Sequence, residues 1–157
     1  MRKTLWLINI IGGISVLGSY AWGLTTQPDP MRLWGQISPS VQGPYSACMP
    51  FAALGYLIVL AYTHIRPHRR MIMAMTVMLL FSTIWMPLCF AVLDHGWHTA
   101  GVQGVLAATA VASLMMLVHA ATDPVRDRLR IAACVGATAF CVQTVLLDAI
   151  IWPRFFP

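Results

Sequence analysis

Five long apolar runs follow one another along this chain, each bounded by charged residues, and nothing else in the sequence restricts its fold so strongly. A hydrocarbon core about 30 Å thick is crossed by roughly 20 helical residues. Inside lipid, only helices and closed barrels satisfy their own backbone hydrogen bonds. The runs cover 4–24, 44–63, 71–93, 97–118 and 131–152. They predict an all-α integral membrane bundle of five transmembrane helices, forming one domain over 1–157. Only 10% of the residues are charged against 59% hydrophobic. A water-soluble domain carries about a quarter, so an ordinary soluble enzyme is excluded, and a disordered chain is excluded by the apolar content.

The charges that remain orient the bundle. Arg2, Lys3, Arg66, Arg69, Arg70, Arg126, Arg128 and Arg130 fall on one face of the predicted topology, whereas Arg32 and Arg154 alone fall on the other. By the positive-inside rule the N-terminus is cytoplasmic and the C-terminus outside, and the expected setting is a bacterial inner membrane. This placement accounts for the basic balance without any nucleic-acid partner. The first run also has features of a secretory signal peptide, with Arg2 and Lys3 before the apolar stretch and Ser19-Tyr20-Ala21 as a small-x-small site. A retained helix is the expectation.

Short second, third and fourth loops predict that successive helices are antiparallel neighbours. The first loop, 25–43, is long and carries Pro28, Pro30, Pro39 and Trp34. Segments of this kind are functional lids or disordered, and a lid over the bundle mouth is one of these two readings.

Ionisable groups within spans mark sites by default, and Asp148 is the one carboxylate inside a run. It either reaches interfacial water or a helix partner, or serves a ligand or proton. Gln143 lies five residues before it, about 140° around an α-helix, so the two need not share a face. In the third run, Trp85 sits below the interface and Pro87 frees the carbonyl near Thr83, which is either a tolerated membrane proline or a ligand-shaping kink. Pro50 carries the same two readings. Pro50, Trp85, Pro87 and Asp148 all fall in the outer half, beneath the first loop.

Other constellations carry less. His64 and His119 end their helices on one face and are a conceivable bis-His haem pair, although interfacial histidines fit better beside Arg66 and Asp123. Asp94, His95 and His98 offer zinc or copper ligands without a second cluster. Met71, Met73, Met75 and Met78 read as packing or lipid-facing side chains. Cys48, Cys89, Cys134 and Cys141 lack paired spacing and read as small hydrophobes. Small residues on the fourth run (Gly101, Gly104, Ala107, Ala108, Ala110, Ala112) and first run (Gly12, Gly13, Gly18) allow close helix approach, within a monomer, a homodimer or a larger membrane complex. No nucleophile–base pair, phosphate loop or carboxylate dyad is present, so no enzymatic activity is expected.

With these residues in view, the chain resembles the translocator-protein or tryptophan-rich sensory protein family, the peripheral benzodiazepine receptors. Ser82, Trp85, Pro87 and Phe90 stand where the family's third helix has Asn, Trp-x-Pro and an aromatic pair. Leu147-Asp148-Ala149-Ile150-Ile151-Trp152 is similar to its Leu-Asn-x-x-aliphatic-Trp ending, and Ala53-Leu54-Gly55-Tyr56 to its small-x-Gly-Tyr segment. The chain departs in having Ser82 and Asp148 for Asn, a first loop reduced to Trp34 and Pro39, and no basic C-terminal tail. The resemblance implies an apolar, partly planar ligand such as a porphyrin, haem or a sterol, bound for transport or sensing. Trp85 would line it, Pro87 shape its cavity and Asp148 orient a polar group, with Ser82 and Leu147 beside them and Trp34 and Tyr45 contributed from the lid. A non-catalytic accessory subunit of a larger complex, or a small haem subunit, are the alternatives.

Overall fold

The computed structural model describes residues 1–156 and is built from five long helices. These are α1 (Arg2–Thr26), α2 (Pro39–Ile65), α3 (Arg69–His95), α4 (Ala100–Thr122) and α5 (Arg128–Cys141). The last continues as π-helical turns over Val142–Ile151 and a 3-10 turn over Trp152–Arg154. All five are long and apolar enough to cross a membrane, and no strand forms among the described residues.

Local chemistry sets the ends. Asp127 caps α5 by accepting the Arg130 amide at 2.9 Å. Gly96 closes α3 in the left-handed region at φ 66°, its N–H reaching the Val92 carbonyl. The largest departure from the sequence expectation is the start of α2, five residues ahead of Pro44. Pro39 occupies the first turn behind Ser38, where a missing N–H costs nothing, and Pro44 and Pro50 are carried inside the helix. The first loop is thereby shortened from 25–43 to 27–38.

Packing order departs from chain order. Helices α3 and α4 pack together, as do α4 and α5, but α2 packs on α5 rather than on α3. The three-residue link 66–68 therefore joins antiparallel helices that are not close neighbours, which corrects the loop-length expectation. Two features explain it. The backbones of α2 and α5 meet at Gly55 and Gly136, where a Cβ built on Gly55 would lie 2.3 Å from the Gly136 carbonyl oxygen. Helix α1 enters the seam between α2 and α3: Gly12 lies against Leu79, Gly23 against Met86 and Phe90, and the Tyr56 hydroxyl donates to Asn9 Oδ1. Leu5 is fully buried among Val59, Tyr62, Met71 and Met75. The first run is thus an integrated helix of the bundle.

Two core clusters divide the bundle along its length. One, toward the basic end where the eight cations gather, joins Leu5, Tyr62, Met71, Met75, Met78 and Met116. Three of the four run methionines are buried in this stripe, and Met73 is exposed. The other cluster, toward the opposite end, joins Leu33, Ile37, Tyr45, Met86, Phe90 and Trp152. Between α4 and the π segment, Thr144 donates to Ser113 Oγ at 2.7 Å in a buried bond.

At the basic end, Arg66 bridges Asp123 at 3.1 Å and Asp127 at 2.6 Å. The Tyr62 hydroxyl, the Val125 amide and Arg66 all donate to Asp123 and hold its carboxyl down at about 2. A carboxylate depressed by folding stabilises fully above about pH 4, and that contribution is lost as pH falls toward 2. The thermal midpoint in detergent is expected to stay level from pH 7 to 5 and to fall between pH 4 and 2. Asp123→Asn should start lower and show a shallower acid fall; an acid fall equal to the wild type's would assign it to another carboxylate.

Candidate functional site

The site grows out of the end opposite the basic cluster, where the first loop, α2, α3 and the π segment converge. The loop is fastened rather than free. Asp29 caps the short 3-10 turn Pro30–Trp34, and Arg32 reaches across to Asp94 at 2.7 Å and to the Leu93 carbonyl at 2.8 Å. Trp152 is buried and donates its indole N–H to the Leu33 carbonyl at 2.9 Å. Gly35, at φ 53°, lets Phe155 approach so closely that a Cβ would fall 2.1 Å from its carbonyl oxygen. Of the two sequence readings for this loop, disorder is not what is observed: the loop is ordered, with its own Leu33 and Ile37 buried against the bundle.

Under the lid lies a polar cluster in apolar surroundings. The Tyr45 hydroxyl donates to Asp148 Oδ1, and Gln143 Nε2 donates to the same oxygen at 2.8 Å. On α geometry the sequence left open whether Gln143 and Asp148 share a face. The π turns close through wider i→i+5 bonds and bring residues five apart onto one face. Gln143 is 6% exposed, and its Oε1 has no hydrogen-bond partner; the Trp85 indole N–H is likewise buried and unpartnered. Most buried polar groups are paired. Each of these two orphans is therefore chemically notable: Gln143 through its bond to Asp148 beside Tyr45, and Trp85 within the cluster that includes Tyr45.

Aromatic rings surround these groups. Trp85 stacks on Tyr20 at 5.7 Å and meets Trp152 edge-on at 5.6 Å, while Trp34 meets Tyr45 edge-on at 5.4 Å. Trp34, Tyr45, Trp85, Leu147 and Asp148 are thus brought together in or against one region. Ser82 stands apart, with its hydroxyl turned to Met78 Sδ at 3.5 Å. Pro87 is exposed on the outward face of α3, in line with Leu80 and Ile84. Any part Pro87 plays in shaping the site is therefore through the backbone of α3 rather than through its own ring.

Two participants were not among the sequence candidates. Tyr20 appeared only within the small-x-small signature, and Gln143 was set aside on helical angle. A tyrosine inside an apolar run was the available signal for the first; none existed for the second.

The histidines take other partners. His119 packs its ring 4.2 Å from His68, and His64 packs edge-on to Trp6 with its Nδ1 buried and without a hydrogen-bond partner. Asp94 is engaged by Arg32, and no cluster of three metal-binding side chains occurs among the described residues. The four cysteines are free. A surface recess of about 330 Å³ lies elsewhere, at the basic end beside His68 and His119, and a smaller one of about 110 Å³ opens on the flank of the site between Thr99, Gln103, Trp152 and Phe156.

No protein-family model, curated protein or solved structure matches the chain.

Proposed function

We propose that this membrane protein binds a small, largely apolar molecule, of the porphyrin or sterol kind that the translocator-like resemblance implies, beneath the first loop. The single observation that carries the reading is the buried Tyr45–Asp148–Gln143 cluster, with Gln143 Oε1 and Trp85 Nε1 left without partners. An apolar body would lie against the rings of Trp85, Tyr20 and Trp34, and a polar edge offering both a donor and an acceptor would answer the two orphans. Because those rings fill the region, binding requires the lid to shift. The exposed Arg32–Asp94 pair contributes no more than about 1 kcal/mol to holding it, so the buried Trp152–Leu33 hydrogen bond is the main restraint such a shift must break. Transport or sensing would follow from that movement, in a bacterial inner membrane with the basic end inside.

The test is a titration of the purified protein with protoporphyrin and with a fluorescent sterol, read from the ligand's own spectrum because the chain has six tryptophans. Saturable binding is expected at micromolar levels, weakened at least tenfold in Trp85→Phe and in Gln143→Leu, each of which removes one of the two unpartnered groups, as the loss of one buried hydrogen bond or about 1.4 kcal/mol dictates. Non-saturating uptake, unchanged in both variants, would sink the reading.

One observation favours the second reading, an accessory subunit or homodimer. Helix α1 leaves Ile10, Ile14 and Leu17 exposed, and Gly13 and Gly18 meet nothing within 4 Å. A stoichiometric partner retained through purification, together with a negative titration, would favour it.

A further inference from the structure

The geometry points to a second binding site at the basic end, a recess that takes the phosphate of an anionic phospholipid headgroup. Its walls are Tyr62, Arg66, His68, His119, Thr122 and Asp123, enclosing about 330 Å³, within the range of small-molecule sites.

The recess is rich in donors. Arg66 carries five N–H groups, and its contacts to Asp123 and Asp127 use one at each terminal nitrogen, so the guanidinium is held in place with N–H groups to spare. His68 Nδ1 accepts the Arg70 amide at 3.3 Å, which puts the imidazole proton on Nε2 as a further donor. The His68 and His119 rings lie 4.2 Å apart.

The surrounding charges act in the same sense. Arg69 and Arg70 follow His68 at the exposed start of α3, where the helix presents its positive end. Arg130 donates to the carbonyls of Ala120 and Ala121 and so offsets the negative end of α4. Asp123 opposes an anion, but its carboxylate already accepts from Tyr62, Arg66 and Val125 and serves to fix Arg66.

The lipid source of the phosphate follows from what adjoins the recess. Ile65 and Val118, one residue before Arg66 and His119, are 54% and 59% exposed. They leave exposed apolar side chains on α2 and α4 one position from the recess walls, at the end of the apolar spans against which acyl chains would lie. Basic pockets between transmembrane helices at their ends are the usual seat of such headgroups.

The test uses the full-length protein in detergent at constant ionic strength, titrated with dihexanoyl phosphatidylglycerol, dihexanoylglycerol and orthophosphate and read by native mass spectrometry and thermal shift. Saturable binding of the phospholipid is expected, with dihexanoylglycerol at least tenfold weaker, and His119→Ala and His68→Ala each lowering affinity five- to tenfold. His119→Ala breaks no hydrogen bond described here, so it remains readable if loss of the His68 cap perturbs α3. Orthophosphate that fails to displace the lipid supports a headgroup site, and orthophosphate that binds and displaces it supports the same phosphate chemistry with a soluble source. Equal binding of dihexanoylglycerol, or phospholipid affinity unchanged in both histidine variants, would overturn the proposal.

Discussion

The Gly55→Val substitution is expected to cost about 3 kcal/mol or more, the upper end of the overpacking range, and with it most of the monodisperse protein. The argument rests on what the new atoms would meet. A Cβ at Gly55 would lie 2.3 Å from the carbonyl oxygen of Gly136, and one at Gly136 would lie 2.7 Å from the carbonyl oxygen of Gly55. Both obstacles are backbone, so no rotamer change relieves them and the helices must separate. In lipid, helix association rests on packing rather than on apolar burial, which makes a lost close approach hard to replace. Gly136→Val should match Gly55→Val. The double variant should be little worse than either alone, because both break one shared contact. Gly13→Ala and Gly104→Ala, where a Cβ meets nothing within 4 Å, should be neutral or slightly stabilising through helix propensity. The measurement is the unfolding midpoint in detergent together with the size-exclusion profile. A Gly55→Val protein with the wild-type midpoint would show that α2 and α5 do not meet there.

The same contact shows where sequence reading stops. Each span was legible because a bilayer imposes a long apolar run, and the ends of α1, α3, α4 and of α5 with its π continuation fall within a few residues of those runs. The start of α2 was not, because Pro39, Gly43 and Pro44 are loop signals in general and first-turn or tolerated residues here. Helix order was not legible either. Gly55 and Gly136 are single glycines on separate helices without a GxxxG spacing, and nothing local pairs them. Trp85 and Asp148 could be gathered from their shared depth, and Trp34 and Tyr45 from the resemblance alone. Tyr20 and Gln143 depended on a tertiary contact and on a π segment, which hydropathy does not encode.

That π segment frames the second large effect, at Asp148. Two buried donors, the Tyr45 hydroxyl and Gln143 Nε2, converge on one carboxylate oxygen. Asp148→Ala leaves both without an acceptor, at an expected cost of about 2–3 kcal/mol. Asp148→Asn keeps a carbonyl acceptor and should cost less. Tyr45→Phe removes a single donor, and its coupling to Asp148→Ala should be about 1 kcal/mol, the scale of interhelical hydrogen bonds in membranes. An Asp148→Ala protein as stable as wild type would mean that the three side chains are not joined. Gln143→Leu separates the cluster's structural part from its binding part. It removes one hydrogen bond but also the orphan Oε1, whose burial already carries a penalty of about 1–3 kcal/mol, so the two effects offset and stability should change by less than about 1 kcal/mol. Ligand affinity should nevertheless fall about tenfold, because the acceptor offered to the ligand is gone. Stability and affinity moving together would make Gln143 a packing residue, whereas their separation would assign Oε1 to the ligand.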